Sequence, residues 1–153
     1  MNDVFTKLKF QRRPAPVIAE HRPMYKIAQI LLILHIASRA GRSKLPRLHL
    51  FNWALKAADR TKQLIDAASQ RKLRVAAWGF DPALAIAVRY AIADELIRET
   101  QTGYEITDNG TEFAKAICKL SDLFATDKKA LERIGKGITE NMVEEIAKGW
   151  ENT

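Results

Sequence analysis

The chain has 153 residues, of which 47% are hydrophobic and 28% are charged. This composition supports a core of ordinary size and excludes an intrinsically disordered chain. The single cysteine, Cys118, excludes an intrachain disulfide. The longest apolar run, 27–37, is shorter than the roughly 20 residues that a membrane-spanning helix needs, and the first residues lack the apolar stretch of a signal peptide. We therefore expect a cytoplasmic protein.

The formal net charge of +7 is concentrated in the first half of the chain. Residues 1–74 contain 16 Lys and Arg against 4 Asp and Glu, a net of +12, whereas residues 75–153 contain 9 against 14, a net of −5. A basic half of this kind favours a polyanion or an acidic protein as partner. It is also compatible with a solvated surface that binds no nucleic acid.

The chain begins with a segment that is predicted to be an extended basic arm, over 1–23. Its sequence contains several prolines and shows no helical period. Pro14 and Pro16 each disfavour the helical region for the residue before them. We expect this arm to lie on a surface or to reach a partner, anchored by apolar residues such as Phe5 and Phe10.

Three helices are predicted after the arm. The first, over 24–39, has apolar residues on more than one face, which is typical of a central helix that is buried on most sides. Gly41 stands where a left-handed cap would end such a helix. Further helices are predicted over 46–58, which Pro46 opens, and over 59–71.

A fourth helix and a hairpin come next. Asp81 followed by proline is a strong helix start, so a helix is predicted over 82–97 with Asp81 as its amino-terminal cap. A small hairpin is then predicted over 98–107, around the dipeptide Thr102-Gly103.

The chain ends with helical segments. A helix over 109–121 is predicted to be capped by Thr107 or Asp108, and two more begin near Thr126 and after Thr139. The order of elements therefore predicts a mainly α fold: a winged helix-turn-helix domain with a small two-stranded β-wing, an extended N-terminal arm and extra C-terminal helices. The expected boundaries are 1–23 for the arm, 24–122 for the winged-helix domain and 123–153 for the helical extension.

The helix before the wing is poorly suited to reading DNA. In winged-helix proteins that read DNA this helix enters the major groove, where long polar side chains contact base edges. Here its polar residues are Arg89, Tyr90, Asp94 and Glu95, two of which are anionic, and the others are mostly Ala, Leu, Ile and Val. We expect this surface to pack against protein, either a partner or the rest of this chain.

The positive charge lies in other segments, which could contact phosphate without reading sequence or could dock an acidic protein. Arg39 and Arg42 could instead have a purely structural role, in which they complement the dipole at the end of the first helix. A separate basic group follows the third helix, at Arg71, Lys72 and Arg74. The candidate partner- or DNA-binding residues are Arg39, Arg42, Lys44 and Arg47 around the turn after the first helix, and Phe5, Phe10, Arg12 and Arg13 on the arm.

Three stretches together resemble a known family. They are PMYKIAQILLILHIASRAGRSKLPRLHLFNWALK, WGFDPALAIAVRYAIADELI and YEITDNGTEFAKAI, within residues 20–120. The chain resembles the middle component of bacterial three-component ABC-ATPase systems, a group that includes the accessory subunit of Lamassu-type anti-phage defence. The resemblance implies a winged-helix adaptor that binds a large coiled-coil ATPase of the SMC-like class, which senses foreign DNA, and links it to an effector, often a nuclease.

No catalytic motif stands out in the sequence. The three histidines lack the spacing of metal ligands, and the only Gly-Lys-Gly, at 135–137, lacks the spacing of a phosphate-binding loop. We therefore expect no enzymatic activity, no metal and no cofactor. The function expected is that of an adaptor, with a sequence-independent DNA contact left open. The alternatives are a winged-helix transcriptional regulator and a small-molecule-sensing or purely structural dimer.

Overall fold

The computed structural model describes residues 22–75 and 77–151, and within them the chain is mainly helical, as predicted. None of the helices in this part is both long and apolar enough to cross a membrane. In chain order the elements are α1 (Pro23–Ala37), a 3₁₀ turn (Arg39–Gly41), β1 (Arg42–Ser43), α2 (Leu45–Ala54), α3 (Ala58–Gln70), α4 (Pro82–Ala93), β2 (Ile97–Glu99), β3 (Tyr104–Ile106), α5 (Asp108–Lys119), α6 (Ala125–Ile134) and α7 (Glu140–Glu151).

Helix α1 is the central helix, as its sequence predicts. Every residue from Lys26 to Leu34 is buried, and the helix packs against α4, α5 and α6. It ends at Ala37 rather than Arg39, because Ser38 is extended and its hydroxyl donates to the carbonyl of Ile33. Gly41 has the left-handed backbone that was predicted, with φ of 67°, at the end of the 3₁₀ turn.

The three strands form one antiparallel sheet in the order β1-β3-β2. Strand β3 lies in the middle, with Glu105 opposite Arg42 of β1 on one side and Arg98 of β2 on the other. The sequence predicts only the β2–β3 hairpin, and β1 is an addition to it. A strand of two residues has no periodicity to detect, and its pairing is with a segment far along the chain.

The predicted caps on either side of the hairpin are confirmed. The side chain of Asp81 accepts a hydrogen bond from the N–H of Ala83, and that of Thr107 accepts one from the N–H of Gly110. The predicted length of the fourth helix is wrong, since α4 stops at Ala93 and does not continue to residue 97. The chain leaves the helix through a left-handed residue at position 95 and enters β2.

The C-terminal helices share the core of the preceding elements. Leu131 and Ile134 of α6, and Val143 of α7, are buried in the same hydrophobic cluster as α1. Ile138, in the link between the two helices, is buried there as well. Helix α6 packs on α1 and α3, while α7 packs on α2.

Gly110 is expected to be the least replaceable glycine of the fold, because a Cβ there would lie 2.1 Å from the carbonyl oxygen of Leu96 and 2.8 Å from Ile106 Cγ1. Gly110→Ala should lower the free energy of unfolding by about 2 kcal/mol, as overpacking of a tight contact does. Urea denaturation followed by circular dichroism measures this. Gly149→Ala, where a Cβ meets no atom within 4 Å, is the control and should not destabilise. Equal midpoints for the two variants would contradict the expectation.

Candidate partner-binding surfaces

The outer face of α4 is apolar and open to solvent. Four large hydrophobic side chains are exposed in the described part of the chain. Ile86 at 48% and Tyr90 at 52% exposed lie on α4, and Phe80 at 68% lies two residues before the helix begins. Ile86 and Tyr90 are one helical turn apart and therefore lie side by side. We call the surface formed by Phe80, Ile86, Arg89 and Tyr90 the outer face of α4. The fourth exposed hydrophobic residue, Leu120, lies elsewhere, after α5.

The opposite face of α4 is inside the protein. Leu84, Ala87, Val88 and Ala91 are buried, mainly against α1. The sequence left open whether the apolar residues of this helix pack within the chain or against a partner. In the structure some of them are buried within the chain, whereas Ile86 and Tyr90 are exposed. Arg89 is the one long cationic side chain on the outer face of α4.

A buried polar network fixes the start of α4. Asp81 accepts hydrogen bonds from the Asn52 side chain at 2.9 Å and from Lys56 Nζ at 3.2 Å, in addition to the capping bond of Ala83. Lys26 Nζ, which is buried, lies 3.7 Å from the same carboxylate and donates to Asn52. Burial by itself raises the pKa of Asp81, but the hydrogen bonds from Asn52, Lys56 and Ala83 outweigh it and lower the pKa to about 2.

The same network positions Phe80 on the outer face of α4. The Phe80 ring lies 4.8 Å from the His49 ring, centroid to centroid. His49 Nδ1 accepts from the backbone N–H of Asp81 at 3.3 Å, so the neutral ring carries its proton on Nε2. Burial lowers the pKa of His49, which favours this neutral form. One side of the Phe80 ring therefore packs on His49, while the rest of the side chain is exposed to solvent.

A second surface is a groove of about 440 Å³ between the 3₁₀ turn, the tip of the hairpin and the start of α7. All four basic residues predicted around the turn after the first helix line it, and so does Lys136, which is distant from them in sequence. Thr100 and Thr102 of the hairpin supply hydroxyl groups, and Glu140 is the acidic residue in the lining. We call this the basic groove.

The four predicted cations differ in exposure and in whether they form ion pairs. Arg39 is exposed and makes no ion pair within the described residues. Arg42 is exposed but pairs at 2.8 Å with Glu105, which also pairs with Arg98. Lys44 forms an ion pair with Glu144 of α7. Of these four cations, Arg39 is therefore the one that is exposed without an ion pair in the described part of the chain.

Arg47 is buried beneath the groove, so it contributes to the lining without exposing its charge. Its guanidinium is buried, donates to the Ile138 carbonyl at 2.7 Å, to the Ser38 hydroxyl at 2.8 Å and to the Ala37 carbonyl, and lies 4.7 Å above the Phe51 ring. Burial lowers the pKa of Arg47 to about 10, although Glu140 opposes the shift. These contacts join the end of α1 to the link before α7, so Arg47 shapes the groove from beneath.

No family model, curated protein or solved structure matches this chain.

The remaining predicted contact residues, on the arm, lie outside the described residues: Phe5, Phe10, Arg12 and Arg13. In the part that is described, no group of three or more His, Cys, Asp or Glu side chains is arranged to hold a metal ion.

Proposed function

We propose that this protein is a non-catalytic winged-helix adaptor subunit of an anti-phage defence complex. In this proposal the outer face of α4 binds a large SMC-like coiled-coil ABC ATPase, and the subunit links that ATPase to an effector. The resemblance of residues 20–120 to the middle component of three-component ABC-ATPase systems supplies the partner class. The geometry of α4 supplies the binding surface.

The sheet supports the winged-helix part of the proposal. A winged-helix domain has a helical core followed by a two-stranded wing, and a short strand after the first helix pairs with the second strand of that wing. Here β1 follows α1 and pairs with β3, the second strand of the hairpin, to give the order β1-β3-β2. In this interpretation α4 is the helix before the wing, and α3 is an extra helix between the second core helix and α4.

The exposed pair Ile86 and Tyr90 is the observation that carries the adaptor function. Large hydrophobic side chains that are exposed together on one helix face mark a protein interaction site. Tyrosine and arginine are both enriched among the residues that contribute most to binding energy at protein interfaces. Tyr90 and Arg89 are adjacent on this face. A neighbouring apolar helix or coiled-coil segment could bury Ile86 and Tyr90 together.

The same face argues against sequence reading through α4, so the alternative, a winged-helix DNA-binding transcriptional regulator, would have to contact DNA through the basic arm and the turn from Arg39 to Arg47. Reading base edges needs side chains such as Arg, Asn or Gln at several positions of the helix in the major groove. The outer face of α4 offers Arg89, while Ile86 and Tyr90 would be placed against polar base edges. Exposed Asp94 and Glu95, at the end of the helix, would approach phosphates and be repelled.

The adaptor function is tested by replacing Ile86 and Tyr90 with glutamate in the full chain, tagged and expressed in its native host. We expect a coiled-coil ATPase to co-purify in stoichiometric amount with the unmodified protein. The Ile86→Glu/Tyr90→Glu variant should lose it, with the Kd raised by at least about 30-fold, because two central contacts of about 1 kcal/mol or more each are removed. Affinity purification followed by quantitative mass spectrometry measures the retained fraction.

The matched control is Leu120→Glu, which places the same charge on the exposed hydrophobic residue away from α4. It should retain the ATPase, and circular dichroism should show all the variants folded. If the unmodified chain brings down no ATPase, or the α4 variant retains it as the control does, the proposal is wrong. If the α4 variant instead converts a dimer of this chain to a monomer, the face serves self-association and the adaptor function is contradicted.

A further inference from the structure

The link between α6 and α7 connects the basic groove to helix α3. Gly137 packs directly on α3, since a Cβ built on it would lie 2.6 Å from Ala68 Cβ. The next residue, Ile138, accepts the hydrogen bond from Arg47 through its carbonyl. Lys136, which precedes Gly137 and is exposed, lines the groove. Lys136 therefore lies between the groove and the C-terminal half of α3.

Exposed cations continue from this point along the end of α3. The helix stops at Gln70, within one turn of Ala68, and is followed by Arg71, Lys72 and Arg74. All three are exposed and, like Arg39 and Lys136, none forms an ion pair within the described part of the chain. The sequence presents these cations as separate groups, and the fold joins them through the 135–138 link. We call Arg39, Arg42, Lys136, Arg71 and Lys72 the basic track.

Of the three acidic residues beside the groove, Glu105 and Glu144 are held in ion pairs. Glu105 is held by two arginines, which lower the pKa of its carboxyl group through their hydrogen bonds. Glu140 accepts from the Lys44 N–H at 3.0 Å, and Glu144 pairs with the Lys44 ammonium. Glu140 keeps its negative charge, and the four cations of the basic track without an ion pair in the described part of the chain, Arg39, Lys136, Arg71 and Lys72, outnumber it.

We propose that the basic track binds the phosphate backbone of a nucleic-acid duplex without reading its sequence. Exposed guanidinium and ammonium groups contact phosphate oxygens, and four of the five in the basic track, all but Arg42, form no ion pair within the described residues. The hydroxyls of Thr100 and Thr102 add neutral donors at the groove. The aromatic residue in the groove lining, Tyr104, is half-buried, so the groove offers no open ring on which unpaired bases could stack. These features favour a duplex over a single strand.

This binding is independent of the partner proposed for α4, because the two surfaces use different residues. Its test is fluorescence anisotropy of a labelled duplex of mixed sequence, titrated with the purified full chain over a series of salt concentrations. Each phosphate contact contributes a slope of about −0.9 to the plot of log binding constant against log salt. With about four of the five cations engaged, we expect a slope of roughly −3 to −4 and affinities that agree within about two-fold between unrelated sequences.

The decisive variant is Arg39→Glu/Lys136→Glu, which removes two cations that hold no structural contact. It should bind at least tenfold more weakly and with a slope that is shallower by about 2. The matched control, Lys115→Glu/Lys129→Glu, makes the same change in net charge at exposed positions of α5 and α6. It should leave the slope unchanged, because the charges removed are not at the contact.

Several outcomes would overturn the proposal. They are an absence of duplex binding by the unmodified chain, an unchanged slope in Arg39→Glu/Lys136→Glu, an equal loss in the control, and tighter binding of single-stranded than of duplex DNA. A duplex RNA of the same sequence separates the two sources of the phosphate backbone, since a preference for one of them identifies the natural ligand. The Ile86→Glu/Tyr90→Glu protein should bind duplex normally, which separates failure of this proposal from failure of the adaptor function.

Discussion

Replacing Arg47 with alanine is expected to lower the free energy of unfolding by about 4 kcal/mol, which should lower Tm by about 10 °C in a chain of this size. The side chain is 3% exposed and donates to the carbonyls of Ala37 and Ile138 and to the hydroxyl of Ser38. Alanine would leave these acceptors buried without their donor and would open a cavity beside the Phe51 ring. Thermal and urea denaturation of the full chain measure the loss.

Arg42→Ala is the matched control for Arg47→Ala. Arg42 is exposed, and its partner Glu105 keeps the ion pair with Arg98, so we expect a loss of less than about 0.5 kcal/mol. Arg47→Lys should recover only a minor part of the stability, because one ammonium group cannot reach acceptors on both sides of the guanidinium plane. Similar midpoints for Arg47→Ala and Arg42→Ala would show that the buried contacts of Arg47 contribute little.

The position of Arg47 shows where reasoning from the sequence reached its limit. Its spacing from Arg39, Arg42 and Lys44 places it in one basic cluster, and the structure does bring all four to one groove. The spacing cannot reveal that Arg47 lies in the first turn of α2 with its side chain toward the end of α1. One local signal existed, the Arg47–Phe51 pair at the spacing of one helical turn, where the guanidinium lies over the ring.

The features that were predicted depend on neighbours in sequence. Asp81 and Thr107 cap helices through N–H groups two and three residues away, and such bonds can be inferred from the local pattern alone. Strand β1 and the end of α4 depend on tertiary contacts. The sequence does not predict β1, and it predicts an end of α4 that is four residues too late. The exposure of Ile86 and Tyr90 was only partly foreseen, because an Ala- and Leu-rich helix does not reveal which of its faces meets α1.

Lys26 is the clearest case of a role that depends on the fold. A lysine within an aliphatic helix would ordinarily extend to solvent, yet its side chain is 1% exposed. Among its partners are Asn52 of α2 and the carboxylate of Asp81, both distant in sequence. Their pairing with Lys26 follows only once α1, α2 and the start of α4 have been packed together.

Asp81→Ala is expected to lower the free energy of unfolding by about 3 kcal/mol. The substitution removes a helix cap, which contributes about 1 kcal/mol. It also removes the carboxylate beside the buried ammonium of Lys26, and loss of one partner of such a pair is strongly destabilising. In the double variant Lys26→Met/Asp81→Ala the ammonium is absent, so more than half of this second contribution should be recovered. Urea denaturation of both single variants and the double variant gives the coupling; simple additivity would contradict a coupled network.

The stability of the protein should also depend on pH through Asp81. Its pKa is lowered from the ordinary value of 3.8 to about 2, so the folded state binds this proton less readily than the unfolded state does. The resulting stabilisation is present in full above about pH 4 and is lost as the pH falls toward 2. Asp81→Asn keeps a side-chain oxygen for the cap but does not titrate, and its stability should therefore fall less steeply than that of the unmodified protein over this window. Unfolding midpoints measured from pH 5 to pH 2 test this; parallel curves for the two proteins would show that other carboxylates cause the acid sensitivity.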